Sequence, residues 1–168
     1  MSRVDRVALF LSLFAVLLSY FVAVRVFEAI PHIEDEIAFA WQARLIADGK
    51  LTIDSPDHYK SFLIPFVVDH QGKRFAKYPL GWPALMGVAV ALGMSTIINP
   101  LLAGFAVWLT YRLGKKVFSG IVGIMAALLM ATSPFFMMNS GSLLSHPFGL
   151  VLSIAFALSW FDVWVKPK

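Results

Sequence analysis

The stretch PLGWPALMGVAVALGMSTIINPLLAGFAVWLTY, Pro79–Tyr111, carries no charged residue, and the number of times it crosses a bilayer sets the topology of the chain. Two crossings split at Gly93–Asn99 are one arrangement. The other lays Pro83–Leu92 in the membrane interface and starts a single crossing at Pro100, where Asn99-Pro100 forms a good Ncap–N1 pair. The distribution of cations favours one crossing. It places Arg112, Lys115 and Lys116 on the same side as Arg3 and Arg6, and as Lys166 and Lys168, in keeping with the positive-inside rule.

Working outward, Val7–Val24 is uncharged and long enough to cross a hydrocarbon core, which takes roughly 20 residues. It exceeds a signal-peptide core and lacks a small-residue cleavage site before Arg25, so it reads as a retained anchor. Ser119–Met138 returns outward, "NSGSLLSHP" turns, and Pro147–Val165 comes back. The expected architecture is therefore an all-α integral membrane chain. It has about four spans (near 7–27, 100–117, 119–138 and 147–165), an external loop over 28–82 and an interfacial helix over 83–93. Both termini are cytoplasmic. Of the 168 residues, 59% are hydrophobic and 14% charged, and the mean hydropathy of +0.76 agrees with a bilayer protein. There is no cysteine for thiol chemistry, and no basic run with interleaved aromatics of the kind that binds nucleic acid.

The loop Glu28–Tyr78 holds eight of the ten acidic residues. Glu34–Asp48, with Ile37, Trp41 and Leu45 and a Gly49 stop, predicts a short amphipathic helix. FVVDHQGKRFAKY predicts a β-hairpin turning at Gln71-Gly72. Glu34, Asp35 and Glu36 suit the positive end of a helix dipole. Consecutive helical residues point about 100° apart, so Asp35 and Glu36 face different ways. Lys73, Arg74, Lys77 and Tyr78 lie just before the next apolar segment, where cations can attract membrane lipid or bind a phosphate by charge-assisted hydrogen bonds. Trp82, Trp160 and Trp164 suit an interfacial belt, and Gly120-x-x-Gly123 suits close helix packing. His32, His58 and His70 lack metal-ligand spacing.

HIEDEIAFAWQARLIADGKL, KYPLGWPALMGVAVALG, INPLLAGFAVWLTYRLGKKVFSG and ATSPFFMMNSGSLLSHP, in that order, resemble the N-terminal third of a bacterial GT-C glycosyltransferase. The nearest groups are the protein mannosyltransferase-like and aminoarabinose transferase-like enzymes. The resemblance implies a sugar donor on a polyprenyl phosphate and an acceptor hydroxyl on protein, lipid or glycan at the extracytoplasmic face of the inner membrane. It implies Asp35 as catalytic base of an inverting transfer, with Glu36 orienting it or ligating a divalent cation. Lys77, with Tyr78 and Arg74, would meet the donor phosphate. This chain has Lys-Tyr-Pro where the aminoarabinose transferases have Lys-Pro-Pro, and Ile37-Ala38-Phe39 where an arginine often follows the acidic motif. His146 and Arg44 are candidate substrate contacts. Such enzymes are about three times longer, so the resemblance implies a fragment, inactive alone. The competing expectation is a small non-enzymatic four-span protein whose acidic loop binds a partner or a cation.

Overall fold

The structure, a computed structural model, describes residues 2–164. Seven α-helices run in the order α1 (Arg3–Phe21), α2 (Glu34–Ala47), α3 (Gly81–Ala91), α4 (Ile98–Val117), α5 (Gly120–Ala131), α6 (Pro134–Gly141) and α7 (His146–Trp164). Between α2 and α3 lie three short strands, β1 (Ile53–Asp54), β2 (Val67–His70) and β3 (Lys73–Ala76).

The expectation of an all-α chain with about four crossings is corrected on two counts. The loop contains a three-stranded antiparallel sheet of order β1-β3-β2, so the chain is not all-α. Among the described residues only two helical segments are long and apolar enough to cross a membrane, Arg3–Val26 and His146–Trp164. The number is at most three if the bent pair α5–α6 counts as one span.

Physical reasons are visible in the two segments that are not single straight apolar helices of spanning length. The segment expected over 119–138 breaks at Thr132-Ser133, and its halves bend by 62°. Pro134 has no N–H to continue the ladder, and Ser133 instead caps a new helix by accepting the Phe136 N–H at 3.4 Å. α4, expected to cross from Pro100 to Val117, carries Arg112, Lys115 and Lys116 in its last turns. It serves as the central strut: Ala103, Ala106, Val107 and Tyr111 are fully buried, and Val107 and Tyr111 form one core with Ala8, Leu11 and Ala15 of α1. The spans expected over 7–27 and 147–165 correspond to the two long apolar helices, with residue 165 outside the described residues.

α4 and α5 approach closely at Gly114 and Gly123, where a Cβ built on Gly114 would lie 2.7 Å from the Gly123 Cα. A side chain at either would force the pair apart, which is the packing role expected of the Gly120-x-x-Gly123 motif. α1 ends in one π-helical turn, Val22–Val26. α2 and α3 form a second core around Phe39, Ala43, Trp82 and Met86. Trp82 is therefore buried and not an interfacial belt residue, while Trp160 and Trp164 remain exposed and stacked at 5.3 Å. α3 covers Gly81–Ala91, close to the interfacial helix expected over 83–93.

Candidate active site

α2 starts at Glu34 without a side-chain cap, so its first turn of three carboxylates meets unsatisfied N–H groups and the positive end of the dipole. One helical turn sends those three carboxylates to three environments. Glu34 is exposed to solvent. Asp35 is half-buried and accepts a hydrogen bond from the Tyr78 hydroxyl through Oδ1. Glu36 is 3% exposed and points inward.

The Glu36 contacts define its role. Oε2 accepts the N–H of His32, the residue before the N-cap, at 2.7 Å, and Oε1 accepts the Leu143 N–H at 3.2 Å. Leu143 lies in the turn between α6 and α7, so one carboxylate ties the start of α2 to a segment 107 residues away. Two other side chains hold the same turn. Trp82 Nε1 donates to the Leu143 carbonyl at 3.0 Å, and Asn99 Nδ2 donates to the carbonyls of Ser142 and Leu144 at 2.6 and 2.9 Å. Asn99 thus does not cap α4 as its sequence context suggested; it sits inside the first turn and reaches across. Both Glu36 oxygens accept backbone N–H groups, so Glu36 is turned to holding the turn and not to the groove. Among the described residues no three His, Asp or Glu side chains converge as a metal set.

Asp35 lines an open groove of about 530 Å³ with His32, Ile33, Glu34, Ile37 and Phe66. Asp35 Oδ2 has no hydrogen-bond partner among the described residues. Tyr78 is locked between aromatic rings, with centroids 4.6 Å from Phe39 and 5.9 Å from Phe66. Burial first, and then the hydrogen bond to Asp35, push the Tyr78 phenol up to about 12. The phenol therefore keeps its proton at neutral pH and donates it to the carboxylate, fixing the carboxylate's rotamer.

Lys77 comes off the end of β3, and its backbone N–H donates to the Phe66 carbonyl at 3.0 Å. Its Nζ sits 3.4 Å from the Phe66 ring centroid and 5.1 Å from that of Tyr78. Ring faces attract a cation without neutralising it. Lys77 is exposed and pairs with no carboxylate among the described residues, and the Tyr78 ring that it approaches is the one whose hydroxyl reaches Asp35. Phe66 adopts φ +58°, an uncommon backbone conformation for a bulky residue that costs roughly 1–2 kcal/mol. The conformation is that of the third residue of the β-turn Ile64–Val67, which follows Pro65 and closes with the Val67 N–H donating to the Ile64 carbonyl at 3.1 Å.

The other sequence candidates lie elsewhere. Arg74 is not free for a phosphate. It is 5% exposed and grips Asp69 with two bonds of 2.8 Å, donating also to the Tyr59 carbonyl at 3.3 Å. That fork holds Asp69 below the usual carboxylate range and raises the guanidinium further. Tyr78, expected at the donor phosphate, spends its hydroxyl on Asp35. Arg44 is exposed in the last turn of α2, about 13 Å along the axis from the acids, and makes no ion pair with them. His146 is exposed at the first residue of α7, with no hydrogen bond to α2. Sequence reasoning missed Phe66, although its place opposite Lys77 at the base of the hairpin was a usable signal. Asn99 and Trp82 gave none, because their partners are backbone atoms of a distant turn.

No family model, curated protein or solved structure matches this chain.

Proposed function

We propose that the chain belongs to a membrane glycosyltransferase of GT-C type. It moves a sugar from a polyprenyl-phosphate donor to an acceptor hydroxyl on protein, lipid or glycan, with inversion. The observation that carries the proposal is the arrangement at the groove: Asp35 with one free oxygen, oriented by a protonated Tyr78, and Lys77 near the same Tyr78 ring with no carboxylate partner among the described residues. The order of the sequence motifs supports the same assignment.

In this reaction Asp35 accepts the proton of the acceptor hydroxyl as its oxygen bonds to the anomeric carbon. The bond from that carbon to the phosphate oxygen breaks, and the polyprenyl phosphate departs with the electron pair. A phosphate leaves as a stable anion and needs cations rather than an acid, which suits Lys77. Glu36 acts as a positioning residue by holding the start of α2 against the α6–α7 turn. The loop lies on the extracytoplasmic side and the N-terminus in the cytoplasm of an inner-membrane protein, as the cation-rich end formed by Arg3, Arg6, Arg112, Lys115 and Lys116 favours.

The test is transfer of labelled sugar from a polyprenyl-phosphate donor in membranes that express the gene product carrying these residues. Asp35→Asn is expected to lower turnover by about 10²–10⁴-fold, with an inverted product in the wild type. Undiminished transfer by the variant overturns the assignment.

A further inference from the structure

At the end of the molecule opposite the groove, α1, α4 and α7 enclose a second cavity of about 660 Å³. Two of its lining residues, Trp108 and Leu158, are apolar. Its polar lining comprises Arg112, Lys115 and Lys116 from α4, with Asp5 and Asp162 from the neighbouring helices. The two carboxylates are already engaged. Asp5 accepts from Lys115 Nζ at 2.6 Å and from the Tyr111 hydroxyl at 2.5 Å, and Asp162 pairs with Lys116, which also donates to the Leu158 carbonyl at 3.1 Å. Arg112 has no carboxylate within ion-pair distance among the described residues. Among the described residues the cavity therefore offers a planar fork of donors without a carboxylate partner, beside two paired lysines and the apolar Trp108 and Leu158.

We propose that this cavity binds the phosphate group of an anionic glycerophospholipid, with the Arg112 guanidinium as its main donor. The chemistry recognised is a phosphate oxyanion, and the surroundings select a lipid as its source. Leu9 on α1 shares a surface with the cavity-lining Trp108, and α7 exposes Phe156 and Trp160, apolar surface suited to acyl chains. Basic pockets between apolar helices at the membrane surface hold lipid headgroups in this way. The site is separate from the groove at Asp35 and does not depend on the transfer reaction.

Native mass spectrometry of the purified chain, offered equal amounts of phosphatidylglycerol and phosphatidylcholine in detergent, tests it. Phosphatidylglycerol is expected to be retained about tenfold over phosphatidylcholine, a difference of about 1.4 kcal/mol. Arg112→Gln should abolish the preference, and Arg112→Lys, which keeps the charge but not the fork, should reduce it. Arg6→Gln should leave it, since that side chain lies outside the cavity. Equal retention of the two lipids overturns the proposal. So does equal loss in Arg6→Gln and Arg112→Gln, which would mean diffuse surface attraction. Displacement of phosphatidylglycerol by inorganic phosphate would assign the site to a soluble phosphate compound and overturn the lipid assignment.

Discussion

The molecule carries two tyrosine–aspartate pairs, one at each end, and they differ in what their lysine does. At one end Tyr111 and Lys115 both donate to Asp5 Oδ1, and the Ser2 N–H donates to Oδ2 at 2.8 Å. That carboxylate is saturated and its lysine neutralised, so the group fastens α1 to α4. At the other end Tyr78 donates to Asp35 Oδ1, Oδ2 is left open, and Lys77 is drawn aside by the faces of Phe66 and Tyr78. The same residue types make a saturated fastening in one place and leave a carboxylate oxygen and a lysine unpaired among the described residues in the other. What separates them is whether the cation reaches the carboxylate or is intercepted by an aromatic ring.

The contrast can be broken most sharply at the two lysines. Lys77→Ala is expected to weaken binding of a polyprenyl-phosphate ligand by about tenfold or more, measured by competition with a labelled donor, because a charge-assisted bond to phosphate is lost. Lys115→Ala should leave that binding unchanged and lower the thermal unfolding midpoint instead. Equal effects of the two variants on donor binding would erase the distinction.

A next effect concerns the frame that holds Lys77 in place. Removing one partner of a buried, bidentate pair leaves the other uncompensated, so Arg74→Ala should increase proteolytic cleavage within the 53–76 loop by at least about tenfold. Asp69 lies below its ordinary value in the fold. The pair's stabilisation is therefore present above the ordinary carboxylate pKa of about 4 and is lost as pH falls below it. Cleavage of the wild-type loop should rise in acid, while Arg74→Ala should lack that dependence.

Much of this frame was legible in the sequence, and the remainder has identifiable causes. Gly49 at φ +73° ends α2 where its stop was expected, and the Gln71-Gly72 turn, with both residues at positive φ, closes the hairpin as expected. These signals are local. β1 was not legible, because two residues paired to Lys73 and Arg74 leave no periodicity to read. The buried face of α2 was misassigned as well: Phe39, Gln42 and Ala43 turn inward, while Ile37, Trp41 and Leu45 are only partly covered. Gln42 turns inward because both ends of its amide are used, Nε2 on the Leu51 carbonyl and Oε1 on the Ala76 N–H, each at 2.8 Å. The fates of Asp35 and Glu36 depend on the rotation of α2, which the Leu143 N–H and the Tyr78 hydroxyl set from outside the helix. No pattern within Glu34–Asp48 contains that information. The Ser133-Pro134 break, by contrast, was a readable Ncap–N1 signal inside a segment whose apolar character concealed it.

A smaller effect separates Glu36 from its neighbour. Glu36→Gln replaces one acceptor with a donor facing an N–H group and should destabilise the fold by about 1–3 kcal/mol. Transfer by the folded fraction should persist at a reduced rate, because the base is retained. If Glu36→Gln abolished transfer without loss of stability, Glu36 would be the reactive carboxylate.

The smallest effect is spectroscopic. The Tyr78 phenol is raised, so its stabilisation is present below the ordinary phenol pKa of about 10 and is lost as pH rises through about 12. Phenolate absorbance of the wild type minus that of Tyr78→Phe should titrate near the upper figure. Titration at the ordinary value would mean that the Tyr78 phenol is neither buried nor donating to Asp35.

The most direct measurement compares Asp35→Asn with Asp5→Asn for both sugar transfer and thermal unfolding midpoint. Asp35→Asn is expected to lose transfer while its midpoint stays near that of the wild type; Asp5→Asn is expected to lose stability while its folded fraction still transfers. Loss of transfer in Asp5→Asn with retention in Asp35→Asn would contradict the account.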